Sequence, residues 1–389
     1  ARERYADYTR AREDMLAVTH TSHAPWTLVD FNDQKRGRLT LIQDLLSRLE
    51  HGGCAAVICN TVGAAQAMYR RFGREMTGAD VELSLLHARY PHVWREERER
   101  RVIGQFGKHG RRPARAILVA TQVAEQSLDL DFDLLVTELA PVDALLQRLG
   151  RLHRHERPRP QGLQAPEAWL LQPPLDGEGL PDFGASAAVY DEYILLRTWQ
   201  LLHGCPADAG VRTLTLPQDT ERLIESCYAP LAEAEASEPL ASRLLAAARK
   251  LDARLQAQEY AAMWHAEGSP HATGLTLGQR AAGSTHWADV PALQVVCLQQ
   301  TGGQCRLAGT GVCADDPPTA ETAAALARHA VALRGHEVVR DLMQMPRPAS
   351  WRRHAALRGL TPLFLDERLT VRLGGALIRL DAQLGLVME

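Results

Sequence analysis

Short apolar runs alternate with amphipathic stretches between about residue 55 and residue 171. Ala55-Ala56-Val57-Ile58-Cys59 predicts a buried strand, and Val62 to Phe72 follows it with helical spacing. Val81 to Leu86 predicts a second strand, the charged stretch Val93 to Phe106 a helix, and Ala116-Ile117-Leu118-Val119-Ala120 a third strand. Asp133 to Leu139 reads as a fourth strand, a helix begins at about Val142, and Ala168 to Gln172 closes the series. Continuous apolar strands separated by helices are what a parallel sheet covered on both faces requires, so this part of the chain is an α/β domain. Pro158, Pro160, Pro166, Pro173, Pro174 and Pro181 then form a linker-like exit, with a boundary near residue 175. From Ala187 to about His265 the pattern is helical, with Leu195, Leu196, Trp199 and Leu202 on one side of its first segment. Near the end, Arg368 to Leu373, a Gly374-Gly375 turn and Ala376 to Leu380 predict a β-hairpin.

Composition narrows the class without naming a chemistry. The 389 residues are 46% hydrophobic and 23% charged, which excludes wholesale disorder. A net charge of -3 excludes a uniformly basic coat, so any nucleic-acid site has to be local. No run approaches the roughly 18 to 20 apolar residues that cross a bilayer, and the expectation is a cytoplasmic protein with no membrane partner. The seven cysteines are scattered without a Cys-x-x-Cys pair and read as buried or free thiols.

Two segments carry chemistry. The apolar run Ile117 to Ala120 delivers Thr121-Gln122-Val123-Ala124-Glu125-Gln126-Ser127-Leu128-Asp129 at its carboxyl end, where open α/β sheets place their ligands. About twenty residues later comes Asp143-Ala144-Leu145-Leu146-Gln147-Arg148-Leu149-Gly150-Arg151-Leu152-His153-Arg154-His155. At ~100° per residue Leu145, Leu149 and Leu152 share one face, Gln147, Arg151 and Arg154 cluster opposite, and Asp143 can cap the start. Guanidiniums so spaced can engage phosphate oxygens bidentately and offset charge on a transferring γ-phosphoryl group.

Together these segments resemble motifs V and VI of a superfamily two helicase. Thr121 to Asp129 is most similar to the CRISPR-associated helicase-nuclease of type I CRISPR systems. Cys59-Asn60-Thr61-Val62 resembles motif IV and Leu86-His87-Ala88-Arg89-Tyr90 the following family motif, so the resemblance covers residues about 50 to 172. It implies an α/β fold with a second RecA-like helicase domain, then a linker helix region and a small α+β C-terminal domain. Carried over by position, Asn60, Thr61, Arg89 and Thr121 would contact single-stranded DNA. Asp129 would approach the ATP ribose, and Gln147, Arg151 and Arg154 would face the triphosphate, with Arg151 and Arg154 as arginine fingers. Arg89, Arg95, Arg98, Arg100, Arg101, Lys108, Arg111, Arg112 and Arg115 outnumber the nearby glutamates and give a locally basic surface, although Glu/Arg pairing along a solvated helix face also accounts for Arg95 to Arg101.

No Gly-x-x-x-x-Gly-Lys-Ser/Thr loop stands in these residues, nor an adjacent His-Asp pair of the family's nuclease type, and no Asp-Glu pair is assigned to magnesium. The expectation is therefore the second half of a motor. ATP with Mg2+ would be held mainly by a missing first RecA-like lobe, and the chain alone should not hydrolyse ATP. Single-stranded DNA, the CRISPR surveillance complex, that first lobe and a nuclease domain are the implied partners.

The N-terminus differs. Tyr5 to Leu16, Thr19 to Trp26 and Val29 to Leu39 look similar to the C-terminal end of the second polyphosphate kinase family, which makes Lys35, Arg36 and Arg38 candidate phosphate ligands. The expected division is 1–45 for this segment, 46–175 for the RecA-like domain, 176–275 for the linker and helical region, and 276–389 for the C-terminal domain. The region Gly278 to Val290 departs from the family pattern. Two further readings stay open: a non-catalytic module binding DNA or the CRISPR complex, and a polyphosphate or nucleotide phosphotransferase fusion remnant.

Overall fold

The computed structural model describes residues 34–76, 80–125, 128–204, 214–229, 238–267, 292–302, 304–314 and 317–389. Helix α1 (Gln34–Arg48) leads into strand β1 (Gly53–Ile58), helix α2 (Val62–Glu75), strand β2 (Glu82–Leu86), helix α3 (His92–Phe106) and strand β3 (Arg115–Ala120). Strand β4 (Leu134–Glu138), helix α4 (Val142–Leu149) and strand β5 (Glu167–Leu171) complete a parallel sheet in the order β2-β3-β1-β4-β5. Every residue of β1 is buried because both faces are covered. Ala55 and Val57 face Leu41, Ile42 and Leu45 of α1 with Met68 and Phe72 of α2, while Cys54, Ala56 and Ile58 face Val102 and Phe106 of α3. The predicted strands and helices of this α/β layer are all present, with most bounds shifted by one to three residues; α4, however, stops at Leu149, short of the Arg151 and Arg154 positions expected on its face.

The amino ends of β1 and β4 are stapled by a charge cluster. Asp131 and Asp133 are buried and bind Arg112, Arg157 and Arg159, and Asp133 also accepts from the Cys54 amide at 2.7 Å. Burial works to raise the Asp133 carboxyl, but Arg112 and Arg159 hold it below the usual carboxylate range. Arg112 is thus consumed internally and does not belong to a solvated basic surface. Along α3, Arg95 pairs with Glu99 and Arg101 with Glu97, as Glu/Arg pairing on that helix face requires, whereas Arg98 lies over the Tyr90 ring and donates to the Ala382 carbonyl at 2.6 Å. Asp143 is not a cap either: α4 starts after Pro141, and the Asp143 carboxylate accepts from the Tyr228 hydroxyl at 2.7 Å.

Beyond β5, helices α5 (Glu192–Gly204), α6 (Thr220–Tyr228) and α7 (Leu240–Glu267) pack on α4 through Leu195, Leu196, Leu223 and Leu244. Strands β6 (Leu293–Thr301), β7 (Gln304–Leu307) and β8 (Ala330–Leu333) form an antiparallel group in which β6 also pairs in parallel with β9 (Thr361–Leu365). Helices α8 (Ala320–Arg328) and α10 (Ala349–Arg353) cover one face, and α9 (His336–Gln344) joins the other. The predicted hairpin is β10 (Thr370–Leu373) and β11 (Ala376–Asp381), extended by β12 (Gly385–Met388). The reading of residues 1–33 and of the region Gly278 to Val290 lies outside the described residues.

The last turn of the chain docks on the RecA-like layer. Gln66 donates to the Leu384 carbonyl at 2.7 Å, the Tyr90 hydroxyl to the Gln383 carbonyl at 2.6 Å, and the Leu386 amide to the Arg89 carbonyl at 2.8 Å. Gly385 sits at φ +70°, and a Cβ there would lie 2.4 Å from the Arg89 carbonyl oxygen, so backbone approach requires glycine. His87 stacks on Tyr90 with ring centroids 4.2 Å apart and hydrogen-bonds the Leu384 carbonyl at 3.0 Å. Burial first, then Arg89, lowers its pKa to about 3, so the ring is neutral. An unfolded histidine titrates near 6.5, so folding stability is unaffected above that value and falls as pH drops from about 6.5 toward 3, where only the unfolded chain gains the proton. Denaturant unfolding should therefore lose about 2–3 kcal/mol between pH 7 and pH 4 through this group alone, and the loss should shrink in His87→Asn. An equal loss in that variant would remove His87 as its source.

Candidate nucleotide and DNA site

The carboxyl ends of β1, β3 and β4 converge on one buried guanidinium. Arg148 projects from the apolar side of α4, is 0% exposed, and donates through Nε to Glu125 Oε1 at 2.7 Å. Its other nitrogens donate to Thr137 Oγ1 at 2.7 Å, the Glu138 carbonyl at 3.1 Å, Asn60 Oδ1 at 3.1 Å and Tyr190 Oη at 3.0 Å. A buried charge survives only when it is paired and its donors are satisfied, and here both conditions are met. Burial pushes the Glu125 carboxyl up while Arg148 pulls against it. Burial likewise pushes the Tyr190 phenol up to about 12, which keeps its hydroxyl protonated.

Asn60 follows β1 and is 1% exposed. Its side-chain amide donates to the Leu139 carbonyl at 2.7 Å and to Ser186 Oγ at 3.0 Å, and its backbone N–H donates to Glu138 Oε2 at 2.7 Å. Every polar atom named here is used internally, so Asn60 ties β1 to β4. Thr61 caps α2 by accepting from the Ala64 amide at 3.1 Å. That bond uses an acceptor lone pair and leaves the hydroxyl proton to donate, at a helix amino end that favours anions. Thr121 follows β3, its side chain buried and its amide bonded to the Leu86 carbonyl at 3.2 Å. Gln122 donates to the Asn60 carbonyl at 2.7 Å and so joins the Thr121 and Thr61 loops. Arg89 stands on the neighbouring loop after β2, where burial and then Arg334 work against its charge.

From Arg148 onward, successive turns are pinned to the segment leading from β3 to β4. Arg151 donates to the Glu125 carbonyl at 2.6 Å, and Arg154 Nε pairs with Asp129 Oδ1 at 2.6 Å. The pairing with Arg154 is what lowers the Asp129 carboxyl. Arg154 and Asp129 are 43% and 52% exposed, so the pair opens to solvent. Arg151 is half-buried, its Nε has no hydrogen-bond partner, and burial followed by the nearby Arg154 works against its charge. Gln147 is exposed on α4, but α4 ends at Leu149, so Arg151 and Arg154 stand in the turn and bridge segment after it and not on one helix face with Gln147 as their spacing predicted. Of the residues expected to face ATP, Asp129, Arg151 and Arg154 stand together while Gln147 makes no hydrogen bond to them, and of those expected to face DNA, Asn60, Thr61 and Thr121 lie on loops joined through Gln122, with Arg89 on the neighbouring loop. Two residues of the site were not expected from the sequence: Arg148, whose signal was an arginine four residues after Ala144 on an otherwise apolar helix face, and Tyr190, which no local pattern marked.

Comparison with known proteins places these features. A family model described as CRISPR-associated nuclease/helicase Cas3, C-terminal, matches residues 51–157, and one described as Cas3 C-terminal domain matches residues 289–386. The polyphosphate kinase 2 model matches residues 1–54. The CRISPR-associated endonuclease/helicase Cas3 of Thermus thermophilus is 37% identical over 335 residues, 78% of this chain and 34% of that protein. The chain therefore spans about a third of that relative's length. The crystal structure of T. fusca Cas3 with ATP superposes with a TM-score of 0.73 at 30% identity, covering 90% of this chain and 40% of that one. A chain from a CRISPR RNA-guided surveillance complex in a pre-nicking state superposes with a TM-score of 0.65 at 29% identity, covering 90% and 42%. Among the described residues no helix is long and apolar enough to cross a membrane. By sequence and fold, residues 51–157 and 289–386 belong to the C-terminal portion of the CRISPR-associated nuclease/helicase Cas3 family, preceded by a segment that matches polyphosphate kinase 2.

Proposed function

We propose that this chain supplies the second half of an ATP-dependent DNA motor in CRISPR defence. In this reading residues 46–175 are the RecA-like lobe, with the preceding turns of α1 packed on it, 176–275 a helical linker and 276–389 a C-terminal domain. The observation that carries it is that Arg148 and Arg151 are pinned to Glu125 and Arg154 to Asp129, which sets α4 and the turn after it against the segment that follows β3. The two neighbouring guanidiniums, Arg151 half-buried and Arg154 open to solvent, suit an anion with acceptor oxygens, so these residues fit the outer side of a triphosphate. Bound ATP would supply the transferable phosphoryl group, and Mg2+ would be held mainly by a first lobe. Gln147, Arg151 and Arg154 would orient the phosphates and offset their charge, and Asp129 would exchange Arg154 for a ribose hydroxyl. Thr61 and Thr121 would donate to phosphates of single-stranded DNA, with Arg89 adding charge from the neighbouring loop. Asn60 would act by holding Thr61 in place. A first lobe, a nuclease domain and the surveillance complex would be the partners.

Single-stranded-DNA-stimulated ATP hydrolysis tests the half-motor reading. The chain and its Arg151→Ala variant should both show no turnover above background. Turnover that vanishes in the variant would mean that a complete site is present in these residues.

A further inference from the structure

The segment between β5 and α5 reaches back into the loops at the carboxyl ends of β1 and β3. Ser186, in the 3-10 turn Gly184–Ala188, accepts from the Asn60 side chain at 3.0 Å. Tyr190 is 1% exposed, and its hydroxyl oxygen accepts from Gln122 Nε2 at 3.1 Å and from Arg148 at 3.0 Å. Gln122 and Asn60 are the immediate neighbours of Thr121 and Thr61, and Arg148 lies one turn before Arg151. The ring of Tyr190 is packed with Phe183, Tyr193 and Leu195 in the core that unites α4 with α5, α6 and α7. One side chain is therefore rooted in the helical region while its polar tip touches both the loops proposed to hold DNA and the helix proposed to face ATP.

We propose that Tyr190 is a positioning residue that sets the two threonine loops against α4, so that the helical region governs the grip on single-stranded DNA. This inference rests on the DNA-binding reading given above. The oxygen contacts no ligand itself. It fixes where Gln122 and Arg148 stand, and through the Gln122–Asn60 link it fixes the spacing of Thr61 and Thr121. A buried acceptor shared by two donors holds them at a defined separation, and removing it leaves both to find other partners. Ser186 supports the same loop from the other side.

Tyr190→Phe keeps the packed ring and removes only the oxygen. In the full chain, amide hydrogen exchange over residues 59–64 and 121–125 should rise about three- to tenfold with the melting temperature nearly unchanged. Single-stranded DNA binding should weaken by a similar factor, and the variant should cost little further affinity in a Thr121→Val background, because both changes act through one contact. Unchanged exchange in those two loops would overturn the proposal whether or not DNA binds. Full additivity with Thr121→Val would overturn the route through that loop. Failure of the unsubstituted chain to bind DNA would instead count against the DNA-binding reading, while the exchange result still decides the positioning role.

Discussion

Replacing Arg148 with methionine is expected to destabilise the chain by about 3–5 kcal/mol, because it strands the buried Glu125 carboxylate without a counter-charge. Methionine approximates the length of the side chain but offers nothing to Glu125, Thr137, Asn60 or Tyr190, all of which the guanidinium now satisfies. The carboxyl that burial already pushes up would then take a proton or draw water into the core. Adding Glu125→Gln to Arg148→Met should restore at least about 2 kcal/mol in denaturant unfolding, since the residual polar pair carries no net charge. If the double variant is as unstable as the single one, the loss comes from packing and the charge argument fails.

Leu45→Ala should be almost as damaging, at about 2–5 kcal/mol, although it lies in the segment that matches polyphosphate kinase 2. Leu41, Ile42, Leu45 and Leu49 are all buried against β1 and α2, and Arg48 pairs with Glu167 of β5. Helix α1 therefore belongs structurally to the RecA-like layer, whatever its sequence resembles. Thermal unfolding of Leu45→Ala beside Leu46→Ala, which changes a more exposed position of the same helix, checks this directly. Equal losses would mean that α1 is held by something other than its buried face. Lys35, Arg36 and Arg38 fall on α1 at positions whose side chains lie outside the described residues.

How legible all this was depends on where each interaction closes. The parallel layer could be read because its signal is local: runs such as Ala116 to Ala120 need burial on both faces, and the helices between them show their own spacing. Thr121, Arg151 and Arg154 could be read because their spacing along the chain is itself the motif. Arg148 was hidden by its neighbours, since a basic face containing Arg151 and Arg154 makes one more arginine look solvated, and only the fold shows it turned inward. Tyr190 and the docking of Leu384 and Leu386 on Gln66, His87 and Arg89 close across long sequence separations, where no period or spacing carries a trace. Arg112 was misread for the same reason, because its carboxylates stand about twenty residues away, across a strand connection.

The central claim is that these residues grip single-stranded DNA through the loops after β1 and β3, independently of the finger arginines. Fluorescence anisotropy with a labelled single strand at fixed low salt tests it, comparing the unsubstituted chain with Thr121→Val and Arg151→Ala. The account predicts saturable binding that weakens about tenfold in Thr121→Val, for a lost hydrogen bond to a charged phosphate, and stays within about twofold in Arg151→Ala. Binding that is absent, or that falls with Arg151→Ala and not with Thr121→Val, would contradict it.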